Sequence, residues 1–97
     1  MEFEWNRGNR EKNWVEHGVS AEETEQCFFN PALQFDDLKH SQREPRRVVL
    51  GVTDVGRLLT IVYTVRAGHI RVISARSMSR KERILYAAYQ EKAGSPV

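Results

Sequence analysis

The chain holds one cysteine, Cys27, among its 97 residues. A single thiol makes no internal disulfide and supplies no thiolate cluster for a metal. It precedes Phe28 and Phe29 at the end of an expected helix, where a free cysteine packs as a small hydrophobe. Long apolar runs are missing too. The longest, Leu58 to Val65, is eight residues with two threonines and a tyrosine, far short of the roughly 20 residues of a membrane-spanning helix. The opening Met1-Glu2-Phe3-Glu4 is acidic where a secretory signal is basic, and no apolar stretch follows it. A cytoplasmic location without a membrane partner is expected. No glycine-rich phosphate loop follows a strand and no serine stands in a nucleophile elbow. No histidines or carboxylates recur at metal-ligand spacing, so neither a metal nor another cofactor is expected. Repeats and low-complexity segments are lacking as well.

Hydrophobic residues make up 40% of the chain and charged residues 29%. This composition is that of one small globular domain, expected over residues 1–92 with a flexible tail over 93–97. The net charge of +2 hides an asymmetry. Residues 1–44 carry ten acids and five bases, a balance of −5, and residues 45–97 carry three acids and ten bases, a balance of +7. Eleven of the fifteen bases are arginine, whose planar fork pairs bidentately with phosphate or carboxylate. The basic half points toward a polyanion or an acidic partner.

Periodicity and capping signals divide the chain into elements. Alternating acids and aromatics over Glu2 to Trp5 read as a strand with Phe3 and Trp5 inward. Asn6 caps a helix to about Glu16, with Gly18 just past its end, and Ser20 with Glu23 opens a second over Ala21 to Phe28. A short strand over Ala32–Phe35 and a loop over Asp36–Pro45 follow. Strands at Arg46–Thr53, Leu58–Arg66 and Ile70–Arg76 form an antiparallel meander. Ser79 with Glu82 caps a last helix, on which Ile84, Leu85 and Ala88 make an apolar stripe. The order is β-α-α-β-β-β-β-α. It predicts an α+β domain, an antiparallel sheet with helices packed on one side.

Strand parity places Thr60, Thr64 and Arg66 on the more polar face of the middle strand. Strict alternation groups Arg76 with Ile70, Val72 and Ser74, and sets Arg71 opposite. Arg80 stands at the start of the last helix, where the N-terminal amides also favour an anion. Of three histidines, His17 shares a helix face with Arg10 and Asn13, while His40 and His69 fall in a loop and a turn with no partner evident from spacing. These residues favour nucleic acid but name no activity.

Phe3-Glu4-Trp5-Asn6, Asn13 and His17-Gly18-Val19-Ser20 resemble the amino-terminal signature of the BrnT family of bacterial toxins. The likeness continues through Phe28-Phe29-Asn30-Pro31, His40-Ser41 with Glu44 and Arg46, and Gly56-Arg57-Leu58-Leu59. It runs on through Tyr63-Thr64-Val65-Arg66, Ile70-Arg71-Val72-Ile73-Ser74-Ala75-Arg76, Glu82-Arg83 and Tyr86, spanning about residues 2 to 90. The resemblance implies a RelE-like fold and the toxin of a type II toxin–antitoxin pair. It further implies a metal-independent endoribonuclease that inhibits translation. The implied partner is an antitoxin with a ribbon-helix-helix DNA-binding domain, through which the toxin meets operator DNA.

For such RNA cleavage, Arg66, Arg76 and Arg80 are assigned to phosphate binding and transition-state charge, because arginine stays charged and forks onto two oxygens. His17 is the candidate general acid or base, with Tyr86 or Glu44 as lesser candidates. The chain departs from the family pattern at Asn6, where an acid is common, at Asn9 and Glu16, where lysine is common, and at Ala21, where an aromatic is common. An alternative reading is therefore a non-catalytic domain that binds the antitoxin or nucleic acid.

Overall fold

The computed structural model describes residues 2–40 and 43–93. Ser41 lies outside the described residues, as does the expected tail beyond Ala93. The elements are β1 (Glu2–Glu4), α1 (Arg7–His17), α2 (Ala21–Phe29), β2 (Leu33–Asp36), a 3-10 turn (Leu38–His40), β3 (Arg47–Val52), β4 (Leu58–Arg66), β5 (His69–Ser77) and α3 (Arg80–Ala93). Reciprocal side-chain caps start all three helices, satisfying amides that have no intrahelical partner. They are Asn6 with Asn9, Ser20 with Glu23, and Ser79 with Glu82. α1 stops where Gly18 turns left-handed, at φ 63°. No helix among the described residues is long and apolar enough to cross a membrane.

The strands form one sheet in the order β1-β5-β4-β3-β2. The α+β class and the element order agree with expectation, and three details differ. First, β1 runs parallel to β5, pairing Glu2–Glu4 with His69–Arg71, while the other pairings are antiparallel. After three pairs the chain turns into α1, which continues alongside β5. There Asn9 donates to the Val72 carbonyl at 3.2 Å, and Asn13, 2% exposed, accepts from the Ala75 amide at 3.1 Å. Side-chain amides thus occupy the stretch of sheet edge that β1 leaves uncovered.

Second, helices cover both faces of the sheet rather than one. Val19 and Cys27 pack with Val49, Leu59, Ile61, Tyr63, Val72 and Ala75 on the side of α2, with Phe3, Trp5 and Phe28 around them. Met78 and Tyr86 pack with Val48 and Leu50 on the opposite side, beneath α3. The reason is in β3, where Val48, Val49 and Leu50 are consecutive and all buried, so both faces need cover. α3 turns Tyr86 inward, and the stripe of Ile84, Leu85 and Ala88 faces outward.

Third, β5 contains a bulge. Val62 pairs with Ser74 but Tyr63 pairs with Val72, which leaves Ile73 as an extra residue. The bulge reverses the alternation, so Arg76 pairs with Thr60 and Arg71 pairs with Thr64. Directly paired residues share a face. Arg71 and Arg76 therefore stand together on the α3 side, not on opposite sides.

Candidate active site

On the face that carries α3, β4 and β5 present Thr60, Thr64, Arg66, Arg71 and Arg76. The segment leading into β3 crosses this surface and is tied down by Thr64, whose hydroxyl donates to the Pro45 carbonyl at 2.7 Å. Two hollows lie beside it. One, about 320 Å³, is lined by Asp37, His40, Arg46, Thr60, Arg76 and Glu82 among others. The other, about 410 Å³, is lined by residues including Asn9, Lys12, Glu44, Arg46, Arg66 and Arg71. Arg46 and Ile73 border both, joining them into one cleft with five cationic side chains.

The first hollow has a rigid floor. Arg76 forks onto Glu82 with contacts of 2.7 and 3.0 Å, and the same carboxylate accepts from the Thr60 hydroxyl at 2.9 Å and from the Ser79 amide at 2.8 Å. The Arg76 hydrogen bonds hold Glu82 down at a pKa of about 2, against the opposing effect of its burial. Glu82 is thus an anion near neutrality and no proton donor. Arg76 in turn is shifted upward by the same pair. In the second hollow Arg66 meets Glu44 at 3.0 Å, and Arg71 lies 3.9 Å from Glu4.

Across the first hollow from Arg76 stands His40, on the 3-10 turn. Its Nδ1 lies 3.2 and 3.1 Å from the two oxygens of Asp37. The carboxylate is largely covered, 17% exposed, while the imidazole is 61% exposed. The contact orients the ring, with Nδ1 toward Asp37 and Nε2 on its far side. Sequence reasoning missed this pair because the segment reads as an irregular loop. The usable signal was the i, i+3 spacing of Asp37 and His40, which one 3-10 turn converts into contact.

The structure brings Arg66 and Arg76 into this cleft, together with Glu44. His17 and Arg80 do not line either hollow. His17 sits at the C-terminal end of α1, 3.7 Å from Glu16, and its carbonyl accepts from Arg57. Arg80 is exposed in the first turn of α3. Tyr86 is 1% exposed and donates to the Pro31 carbonyl at 2.7 Å, with burial pushing its phenol upward. It is a core residue by position. Asn6 and Asn9, two of the departures from the family pattern, cap α1 and border the cleft, and Asn9 also holds β5.

A family model, the ribonuclease toxin BrnT of type II toxin–antitoxin systems, matches residues 5–82. No curated protein matches the chain in sequence. Among solved structures, the Brucella abortus ribonuclease toxin BrnT superposes with a TM-score of 0.64 at 23% identity. The match covers 82% of this chain and 99% of that one. At that identity the likeness is one of fold.

Proposed function

Because this chain belongs to the BrnT family of ribonuclease toxins of type II toxin–antitoxin systems, we propose that it is itself a competent endoribonuclease. RNA lies in the cleft between α3, β5 and the segment before β3, and is cut by side chains without a bound metal. The ribose 2′-oxygen attacks the adjacent phosphorus, the bond from phosphorus to the 5′-oxygen breaks, and a 2′,3′-cyclic phosphate and a 5′-hydroxyl result. His40, oriented by Asp37, transfers the proton. Arg46, Arg66 and Arg76 bind phosphate and stabilise charge on the phosphorane, a task for which arginine is suited and proton transfer is not. Arg80 extends the basic track along α3. His17, set apart at the end of α1, is the alternative proton donor.

The observation that supports this reading is the convergence of His40, Arg46 and Arg76 on one hollow, with Asp37 and Glu82 holding the ring and one guanidinium. Cutting cellular RNA inhibits translation. The antitoxin that the family implies is, in this reading, a ribbon-helix-helix protein that neutralises the toxin and carries it to operator DNA.

The test is incubation of a labelled RNA and its DNA counterpart with the folded chain in EDTA. The expected result is RNA cut to cyclic-phosphate ends, intact DNA, and cleavage slowed by about 100-fold or more in His40→Gln with RNA affinity retained. A folded parent that cuts no RNA overturns the proposal. One observation favours a second reading: Arg66, Arg71 and Arg76 each already face an acid. A domain that binds nucleic acid or antitoxin without chemistry shows steeply salt-dependent affinity and no product.

A further inference from the structure

Of the fourteen residues of α3, only Tyr86 is buried. Ile84 is 64% exposed and Leu85 48% exposed. With Ala88 and Lys81 they line a shallow groove along the outer side of the helix. Positions 81, 84, 85 and 88 follow the i, i+3, i+4, i+7 pattern of a single helical strip, the pattern by which an amphipathic partner is read. Lys81 lines it and Arg80 stands one turn before Ile84, and neither side chain has a partner among the described residues. This contrasts with the arginines of the cleft that face acids.

We propose that this strip is the docking surface for the antitoxin, which lays an amphipathic segment along α3. The segment sets large aliphatic side chains on Ile84, Leu85 and Ala88 and directs carboxylates toward Arg80 and Lys81. The inference rests on the toxin–antitoxin reading above and adds a place and a chemistry to it. Charge and polarity select the occupant. RNA has use for the cations and none for two exposed aliphatic side chains. An acidic amphipathic segment satisfies both features. Continuity with the cleft supplies the inhibitory effect, because Glu82 lines both the groove and the first hollow. A segment lying on the strip therefore ends beside the Arg76–Glu82 pair, where its carboxylates compete with RNA phosphates.

The test measures affinity for the separately purified partner antitoxin, together with RNA cleavage, in the parent and two double variants. Ile84→Ser with Leu85→Ser alters exposed side chains only. It is expected to weaken antitoxin binding by about 100-fold, as loss of a central apolar anchor does, with cleavage of free RNA unchanged. Arg80→Glu with Lys81→Glu is expected to weaken binding by about tenfold and flatten its salt dependence. Hydrogen exchange of the complex is expected to show protection on the outer strip of α3. Unchanged antitoxin affinity in the aliphatic variant overturns the proposal. So does loss of RNA cleavage in that variant with the fold intact, which marks an RNA surface. Loss of a parent homodimer with antitoxin affinity untouched also overturns it. A parent that binds antitoxin but cuts no RNA refutes the catalytic reading alone, and the affinities still decide the docking surface. A parent that cuts RNA but does not bind the antitoxin refutes the docking surface and leaves the catalytic reading standing.

Discussion

Replacing Glu82 by glutamine removes one charge and almost no volume. In the folded chain that carboxylate accepts from Arg76, Thr60 and the Ser79 amide, and it sits at a pKa of about 2 instead of the usual 4.5. A carboxyl group that holds its proton less tightly when folded stabilises the fold above its unfolded pKa. The contribution is whole above about pH 5 and fades as pH falls toward 2. A pKa difference of this size is worth about 3 kcal/mol. The Arg76 side chain is 39% exposed, so solvent screening brings the expected value to roughly 2 kcal/mol. Glu82→Gln is therefore expected to lower stability at pH 7 by that amount, seen as a drop in Tm of about 8–10 °C for a domain of this size. At pH 3 the unfolded carboxyl is already protonated while the folded one is still mostly ionised, and the gap between parent and variant shrinks to less than half. Paired thermal and urea unfolding at the two pH values reads this directly. Equal destabilisation at pH 7 and pH 3 refutes the electrostatic reasoning and assigns the effect to packing. No destabilisation at pH 7 refutes the pair as a structural element.

Gly51→Ala is expected to cost about 1–3 kcal/mol in urea unfolding, because a methyl there sits 2.9 Å from both the Cβ and the carbonyl oxygen of Cys27. An unchanged midpoint shows that α2 and β3 can separate freely. The Cys27 thiol is fully buried and pushed up to about 12 by burial. It should resist a disulfide reagent at pH 8 until the chain is unfolded, and prompt labelling of the native protein contradicts this placement. Asn13→Ala strands the buried Ala75 amide, an expected loss of about 1–3 kcal/mol. Faster hydrogen exchange at Ala75 checks it, and unchanged protection there refutes the edge-capping role.

What could be read from residues alone was local. The caps of Asn6, Ser20 and Ser79 depend on spacings of three, and the meander depends on β-branched runs separated by Asp54-Val55-Gly56 and Ala67-Gly68. Each appears in the structure near its expected bounds. What could not be read required a partner strand or a partner face. Apolar and polar residues alternate over Ile70-Arg71-Val72 and again over Ser74-Ala75-Arg76, and the adjacent apolar pair Val72-Ile73 that interrupts them was the one signal; the register against β4 shows that Ile73 is supernumerary. The bulge decides which arginines share a surface, so the cleft was only half visible: Arg66 and Arg76 were identified, but Arg46 and His40 were not. On α3 the aliphatic residues looked like the core stripe. Tyr86 took that role, since its ring reaches the core while its hydroxyl finds the Pro31 carbonyl. The hydrophobic pattern reports which residues can be buried, not which sheet face has room for them.

The docking of the amino terminus against β5 also sets a schedule for synthesis. Phe3 is paired with Ile70, and the side chains of Asn9 and Asn13 are satisfied 63 and 62 residues later in the chain, by Val72 and Ala75. These first residues emerge from the ribosome long before their partners exist. A wall of the cleft comes from Asn9 and Lys12 and the rest from Arg46, Arg66 and Arg71, so a nascent chain cannot assemble the site until β5 is free of the exit tunnel. Contacts this distant in sequence close late. Under the proposed reading, a partly made chain has no assembled cleft with which to cut RNA.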